Sequence, residues 1–223
     1  MEKKTLIIFA AIFVGFMGLM LYFSNQNKID LSKYDLNKII SADKNTGEIK
    51  EHIFQNETKN QKAVLIEYGD YQCPSCATMS TKIKALAEEY KGKMTVIFRN
   101  FPLEGHPNAL SAAAAAEAAG LQGKYDQMHS LLFEKQSEWS PATISERGNF
   151  YEKYAKEIGL DLEKFKEDMK SDAINKKIRF DKLTGKELKV NATPTLILNG
   201  QKLDSNTYGD DSKFREAIEN AIK

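Results

Sequence analysis

The chain has 223 residues, enough for one large domain or two small ones. Hydrophobic residues make up 42% of it, aromatic residues 10% and charged residues 28%, proportions typical of a folded globular protein. The 32 basic and 31 acidic residues nearly cancel, so no global charge indicates a nucleic acid or an acidic protein as partner.

An uncharged apolar run at residues 5–23 follows Lys3 and Lys4. As a helix it would be about 28 Å long, close to the ~30 Å hydrocarbon core of a bilayer. The two lysines favour the cytoplasmic side for residues 1–4, which leaves the chain after Ser24 outside. We therefore predict a transmembrane anchor at residues 5–23.

A cleaved secretory signal is the alternative interpretation of this run. Signals usually have a shorter apolar region that ends in small residues at the cleavage site. Here the run ends in Leu21, Tyr22 and Phe23, and the two aromatic residues suit a membrane interface. These residues favour a retained anchor.

Residues 24–46 are rich in Lys, Asn, Asp and Ser, which predicts a stalk. An apolar spacing within residues 36–40 allows one short helix in it. The folded domain is predicted to cover residues 47–223 and to begin with a short strand at residues 47–54.

A strand, a helix and a second strand follow in the sequence pattern. Residues 63–66 form a continuous apolar run, typical of a strand covered on both faces. Helical spacing continues over residues 77–93, and residues 94–101 form the next apolar run. This order predicts a βαβ unit with a parallel sheet.

Residues 107–188 are helical in pattern, and the alanine-rich stretch at residues 108–121 is the strongest helix signal. Asn199 and Gly200, between two apolar runs, indicate a β-hairpin. Amphipathic spacing over residues 211–223 predicts a last helix. The chain is thus predicted to contain a βαβ unit, a helical insertion, a hairpin and a closing helix.

Cys73 and Cys76 are the only cysteines and lie in the stretch CPSC. A disulfide-stapled exported domain would have many cysteines, so a single close pair indicates chemistry. Cys73 lies where a buried strand turns into a helix, and the helix N-terminus should lower its pKa below the ~8.5 of a free thiol. Pro74 suits the first helical turn. Cys76 lies within reach, so the pair can alternate between dithiol and disulfide.

Two other interpretations of the pair involve no exchange chemistry. Half of a zinc site would need two more ligands, whereas His52, His106 and His129 are scattered singly. A structural disulfide around two residues would add little, because its stabilising effect grows with loop length. A CxxC at a strand-to-helix turn of a βαβ unit instead favours redox exchange.

Four stretches carry a family resemblance: IEYGDYQCPSC, FRNFPLEGHPNA with its alanine-rich helix, QGKYDQMHSLLF and ATPTLILNGQ. In this order they resemble the DsbA-like branch of the thioredoxin superfamily over about residues 47–223. The resemblance implies an α/β thioredoxin fold with an inserted helical domain at about residues 107–188, here preceded by the transmembrane helix.

The resemblance also implies roles for individual residues. Cys73 resembles the exposed nucleophile and Cys76 its buried partner. Thr193 and Pro194 resemble the cis-proline loop that faces the CxxC and pairs with the substrate peptide. Glu67, six residues before Cys73, matches the buried acid that assists proton transfer at the inner cysteine.

Simpler interpretations exist for several of these positions. Pro194 is also compatible with a trans proline at a strand start, and Glu67 with an ion-paired strand residue. An unpaired carboxylate at the end of a buried run would be costly, and its pKa would rise. His106, His129 and Trp139 match family positions where packing or loop capping is expected.

Two residues depart from the pattern of the strongly oxidising DsbA. Ser75 stands where that protein has histidine, and Thr193 rather than valine precedes Pro194. The extra thiolate stabilisation by a histidine is missing, and for this couple about 30 mV corresponds to ~1.4 kcal/mol. The direction of electron flow stays open.

With the anchor, the resemblance implies a single-pass cell-membrane protein whose extracytoplasmic domain forms disulfides in exported proteins. The expected partners are unfolded thiol-bearing proteins and a quinone-linked membrane reoxidant of the DsbB or VKOR kind. The chain is expected to be a monomer that binds no nucleic acid and needs no metal or cofactor beyond the Cys73 and Cys76 couple. The alternatives are a disulfide reductase or isomerase on the same fold, and a redox-inactive binding or chaperone module for exported chains.

Overall fold

The computed structural model describes residues 9, 12–18, 20, 29–54 and 62–223. The chain divides into two compact units, Met1–Lys33 and Tyr34–Lys223. Much of the predicted anchor at residues 5–23 lies outside the described residues, and the part that is described is helical and exposed. Among the residues described, no helix has both the length and the apolar character that crossing a membrane requires.

A five-stranded mixed sheet forms the centre of the second unit. Its strands are β1 (His52–Phe54), β2 (Ala63–Gly69), β3 (Met94–Asn100), β4 (Thr195–Leu198) and β5 (Gln201–Lys202), in the spatial order β1-β3-β2-β4-β5. β2 and β3 pair in parallel, and the remaining pairs are antiparallel. Both central strands are buried almost throughout, which explains their continuous apolar sequences. The predicted βαβ unit and hairpin are confirmed.

Helices cover the sheet and form the insertion. They are α1 (Pro74–Glu89), α2 (Ala109–Leu121), α3 (Tyr125–Glu134), α4 (Gln136–Trp139), α5 (Arg147–Glu157), α6 (Leu162–Asp168), α7 (Asp172–Glu187), α8 (Ser205–Gly209) and α9 (Asp211–Ile222). The stretch predicted to be helical, residues 107–188, contains α2 to α7. The alanines of α2 are buried, because their small side chains let the neighbouring helices approach closely.

The first strand is shorter than the predicted residues 47–54, since β1 covers His52–Phe54 only. Gly47 and Glu48 have positive φ angles of 67° and 60°, which an extended strand does not accommodate. A Cβ atom on Gly47 would lie 2.1 Å from the carbonyl oxygen of Ala173. Close backbone approach to α7 therefore sets the conformation here, in place of sheet pairing.

The predicted stalk at residues 24–46 is also too long, because the compact unit begins at Tyr34. Leu36 and Ile40 are buried, with 8% and 4% of their surface exposed. The segment between them contains turns and no helix. Leu36 and Ile40, whose spacing suggested a helix, are instead buried within the domain.

Arg99 of β3 holds the segment at residues 36–40 against the domain. Its guanidinium donates to the main-chain carbonyls of Leu36 and Lys38, at 2.6 and 2.7 Å. The same group pairs with Glu51, Nε to Oε1, at 2.6 Å. Glu51 in turn accepts a hydrogen bond from the N–H of Ile40 at 2.8 Å. A buried charge thus anchors a polar segment whose sequence resembles a linker.

Candidate active site

The two cysteines lie at the junction of β2 and α1, as predicted. Cys73 is the N-cap of α1 and Pro74 is its first residue. The carbonyl of Cys73 accepts hydrogen bonds from the N–H groups of Cys76 and Ala77, at 3.1 and 3.2 Å. Both cysteines are free thiols in the structure. The first turn of the helix therefore carries both sulfur atoms.

The two thiols have very different surroundings. Cys73 is 7% exposed, less than the exposed nucleophile that the resemblance implied, and Cys76 is fully buried. A hydrogen bond from the Cys76 thiol, together with N–H groups of the first turn, lowers the pKa of Cys73 to about 5. Burial raises the pKa of Cys76, and the hydrogen bond to Cys73 and the charge of Glu67 add to this effect. Only Cys73 is therefore a thiolate at neutral pH.

The loop before β4 faces the first cysteine. In its protonated form the Cys73 thiol donates to the carbonyl oxygen of Thr193, with 3.4 Å between sulfur and oxygen. The peptide bond from Thr193 to Pro194 is cis, so the trans alternative is wrong. The Thr193 hydroxyl is buried without a hydrogen-bond partner among the described residues, and it is available to donate to an ionised Cys73. Tyr208 donates to the carbonyl of Pro194 at 3.3 Å, which fixes the far side of the loop.

Glu67 lies on β2 beneath the cysteines and is 2% exposed. It stands between Phe98 and Leu196 of the neighbouring strands. Its Oε1 has no hydrogen-bond partner within the part of the chain that the structure describes, which leaves the ion-pair interpretation without support. Burial, and then the charge of Cys73, raises the pKa of Glu67 to about 8.

Asp70 organises the loop between β2 and the CPSC turn, a role that the sequence analysis missed. Its N–H points at the Cys76 sulfur at 3.5 Å. Its carboxylate accepts hydrogen bonds from the N–H groups of Gln72 and Leu103, at 2.7 and 2.8 Å, and contacts His106 Nδ1 at 2.8 Å. An aspartate directly after a buried strand is a typical turn residue, and this was the available signal.

Gln136, at the start of α4, joins the insertion to the active-site turn. Its side-chain amide donates to the carbonyls of Tyr71 and Cys73, at 2.7 and 2.9 Å. In the opposite direction, the side-chain amide of Gln72 donates to the carbonyl of Ser140, which follows α4 in the insertion, at 2.9 Å. The helical insertion thus fixes the backbone on both sides of Cys73, and Gln136 lies outside the motifs that carry the family resemblance.

Packing or loop capping was expected of His106, His129 and Trp139, and all three make polar contacts within the fold, as does His52. His52 pairs with Glu117, His106 with Asp70 and His129 with Tyr71, at 2.7, 2.8 and 2.9 Å. Trp139 is fully buried and donates to the carbonyl of Leu132 at 2.8 Å. The described residues contain no group of three acidic, histidine or cysteine side chains placed to hold a metal. The half-zinc interpretation of the cysteines therefore gains no support.

Comparison with known proteins agrees with this geometry. A family profile described as thioredoxin matches residues 49–220. The probable disulfide bond formation protein D of Bacillus anthracis is 32% identical over 168 residues, which cover 71% of this chain and 73% of that protein. Na⁺/H⁺ antiporter NhaA 1 of Mycolicibacterium vanbaalenii is 37% identical over 142 residues. The match spans only 22% of that antiporter, so the likeness concerns one part of it.

Solved structures show the same fold. BdbD of Bacillus subtilis superimposes with a TM-score of 0.66 at 22% identity, over 83% of this chain and 98% of that one. The thiol–disulfide exchange protein α-DsbA2 of Wolbachia pipientis gives a TM-score of 0.64 at 26% identity, over 76% and 86% of the two chains. The thioredoxin profile over residues 49–220 and the 32% identity to disulfide bond formation protein D, together with the paired cysteines at the strand-to-helix turn, identify the chain as a DsbA-like member of the thioredoxin family.

Proposed function

We propose that this chain is a membrane-anchored, extracytoplasmic oxidase that forms disulfides in exported proteins. The observation that carries the proposal is the position of Cys73 at the N-cap of α1, where hydrogen bonds from the Cys76 thiol and the first-turn N–H groups lower its pKa to about 5. A stabilised thiolate favours the reduced form of the couple, which makes the disulfide form a stronger oxidant. At positions 75 and 193 this chain has serine and threonine where the strongly oxidising DsbA has histidine and valine. The hydrogen bonds of the first turn nevertheless stabilise the Cys73 sulfur as a thiolate.

The reaction is a pair of thiol–disulfide exchanges. A substrate thiolate attacks Cys73 of the enzyme disulfide, the bond to Cys76 breaks, and Cys76 leaves and takes up a proton. A second substrate thiolate then attacks the substrate sulfur of the mixed disulfide, and Cys73 leaves as a thiolate. The substrate loses two electrons and gains a disulfide, and the enzyme becomes a dithiol.

Glu67 is proposed to give the proton to Cys76 as it leaves. A sulfur whose pKa is raised by burial is a poor leaving group unless it is protonated. A carboxyl group with a pKa of about 8 is protonated at neutral pH and can donate that proton. In the reverse direction, Glu67 as a carboxylate would accept the proton when Cys76 attacks.

Reoxidation is proposed to occur at the membrane. A quinone-linked membrane protein of the DsbB or VKOR kind would accept two electrons from the dithiol. The apolar run at residues 5–23 supports attachment of the domain near such a partner. Membrane fractionation should recover the full-length chain in the pellet, and a mature N-terminus near residues 24–30 would overturn the anchor.

The equilibrium of the couple with glutathione tests the direction. We expect a reduction potential closer to that of DsbA, about −120 mV, than to that of thioredoxin, about −270 mV. The oxidised protein should also form disulfides in a reduced, unfolded substrate. A potential near that of thioredoxin would favour the reductase alternative, and no equilibration with glutathione would favour the redox-inactive binding module.

A further inference from the structure

Two cavities beside α7 join into one groove. The first, of about 650 Å³, is lined by α7, by Leu110 of α2 and by the loop that connects β3 with α2. The second, of about 420 Å³, is lined mainly by residues of α2, α5 and α6. Pro107, Leu110 and Asn175 line both cavities, so the two are continuous. Ligand sites typically measure about 300–1,000 Å³, and each cavity falls within this range.

The groove is strongly basic, although the chain as a whole has a net charge of only +1. Its acidic lining residues are Glu104 and Glu152. Its cationic lining residues are Arg147, Lys166, Lys170, Arg179, Lys182 and Lys186. This local excess of positive charge attracts an anionic ligand, which the overall charge of the chain does not.

Three lysines of the groove are available to such a ligand. Arg147 donates to the carbonyl of Pro107 at 2.7 Å, so it already has a partner inside the groove. Within the part of the chain that the structure describes, the amines of Lys170, Lys182 and Lys186 form no ion pair. A ligand carboxylate can pair with them without displacing an acidic side chain of the protein.

Apolar side chains form the floor between these charges. Leu110 has 55% of its surface exposed, on a helix that otherwise consists largely of buried alanines. Leu103 and Leu183 are half-buried and line the same cavity as Leu110. Covering these side chains with an apolar group would be favourable. A ligand that fits the groove therefore carries apolar and acidic groups together.

The groove adjoins the active-site turn. Pro107 of its lining is followed by Asn108, whose N–H donates to the side-chain oxygen of Gln72 at 2.7 Å. Gln72 directly precedes Cys73. A polypeptide that is joined to Cys73 can therefore extend into the groove.

The shape of the groove suits an extended polypeptide. Along α7 its lining runs from Asn175 to Lys186, which corresponds to about 16 Å of helix. An extended segment of about five residues has the same length. A bilayer surface is flat, so it would contact the rim of the groove and leave the floor uncovered.

We propose that this basic groove binds a second stretch of the substrate chain, in which acidic side chains flank an apolar residue, while the substrate cysteine reacts at Cys73. The proposal rests on the proposed function and specifies its substrates. Charge complementarity increases the association rate and the specificity more than the affinity. Exported chains with acid-rich segments near their cysteines are thus the preferred substrates.

Peptide binding tests the groove without exchange chemistry. The probe is a fluorescent acidic peptide of about eight residues, with one leucine and no cysteine, and its neutral counterpart has asparagine and glutamine instead of the acids. In anisotropy titrations of the full-length protein in neutral detergent, the acidic peptide should bind about tenfold more tightly. Replacing both Lys182→Gln and Lys186→Gln should weaken this binding about fivefold, and ~1 M salt should remove the difference between the peptides.

Lys176→Gln combined with Lys213→Gln is the matched control. It removes the same charge from exposed lysines outside the groove lining, one of them on α7, and should leave the affinity unchanged. Leu110→Ser tests the apolar floor. It should weaken binding of the acidic peptide but not of a version with serine instead of leucine, and the exposure of Leu110 makes an effect on folding small.

Turnover connects the groove to the exchange reaction. With two cysteines added to each peptide, the oxidised wild-type protein should oxidise the acidic peptide with a higher kcat/KM than the neutral one. The variant with both Lys182→Gln and Lys186→Gln should oxidise both peptides with the kcat/KM of the neutral one. Its unchanged rate with reduced glutathione, which is too small to reach from Cys73 into the groove, would show that the active site is intact.

Equal affinity of the wild-type protein for the acidic and neutral peptides would overturn the proposal, as would equal losses in the groove and control variants. Displacement of the acidic peptide by phosphatidylglycerol in mixed micelles, with no preference for acidic peptides in turnover, would assign the groove to anionic lipid and overturn it as well. Failure of the proposed function gives a different result, because the wild-type protein would then oxidise neither peptide while still binding the acidic one more tightly.

Discussion

The Cys73 sulfur lies 3.4 Å from the carbonyl oxygen of Thr193, a residue 120 positions later in the chain. Cys73 belongs to the βαβ unit. Thr193 belongs to the loop before β4, and the whole helical insertion lies between the two in sequence. A peptide that pairs with the backbone of this loop would therefore be delivered directly to the reactive sulfur.

Alkylation should separate the two cysteines of the reduced protein. Because Cys73 has a pKa of about 5, its rate of reaction with iodoacetamide should rise with pH around that value and level off before pH 7. Cys76 should stay unlabelled, because it is buried and its pKa is raised. Peptide mass mapping after timed labelling measures both rates. Equal labelling, or a Cys73 midpoint above about 8, the range of an ordinary thiol, would contradict the assignment.

Trapping should distinguish the roles of the cysteines. Cys76→Ala should leave Cys73 joined to substrates as slowly released mixed disulfides, visible on a non-reducing gel after acid quenching. Cys73→Ala should give no such adducts, because the buried Cys76 does not reach a substrate sulfur. The binding-module alternative predicts no adducts from either variant. A structural disulfide predicts only a loss of stability.

Replacing Glu67 should change how stability depends on pH. Below about pH 4.5, the ordinary value, Glu67 is protonated in both the folded and the unfolded chain. As the pH rises towards 8, Glu67 ionises in the unfolded chain but stays protonated in the folded chain, so the wild-type free energy of unfolding falls. Relative to Glu67→Gln, the wild-type free energy of unfolding should decrease by up to about 5 kcal/mol, at ~1.4 kcal/mol per pKa unit.

The oxidised protein is the form to use for this measurement, since neither sulfur titrates in it and burial of Glu67 persists. Urea unfolding at intervals between pH 4 and 9 gives the two stability curves. A constant difference between the curves would show that Glu67 has an ordinary pKa. The proton-donor role proposed for it would then have no basis.

Arg99→Leu should destabilise the fold and release the segment that begins at Tyr34. The variant leaves Glu51 buried without its ion pair, a change that typically costs about 3–5 kcal/mol. Denaturant midpoints measure the loss, and trypsin should cleave after Lys38 faster than in the wild type. Arg215→Leu is the control, because Arg215 pairs with Glu89 on the surface and such pairs contribute at most ~1 kcal/mol. Similar losses in both variants would refute the role of Arg99.

The strands and helices around the cysteines were predictable because local patterns determine them. The apolar runs of β2 and β3 mark strands covered on both faces, and Pro74 fits the start of α1. Asn199 and Gly200 encode the hairpin, since both adopt the positive φ angles that its turn requires. In these elements, residues that are adjacent in sequence make the decisive contacts.

The residues that escaped prediction act over long sequence separations. Gln136 reaches the carbonyl of Cys73 across 63 positions, and Arg99 reaches Leu36 across 63 as well. Polar side chains that bind main-chain carbonyls leave no periodic pattern, because the partner's side chain is not involved. For the same reason, residues 34–46 resemble a solvated linker in sequence although they belong to the compact unit.

Within the part of the chain that the structure describes, the two edge strands of the sheet are very short, with three residues in β1 and two in β5. A long exposed edge is a template on which another chain can add a strand, and unfolded chains supply such strands readily. A protein that holds unfolded chains by a covalent bond keeps them close for as long as the mixed disulfide lasts. In the oxidase proposed here, short edges would allow this without seeding aggregation of the substrate chains.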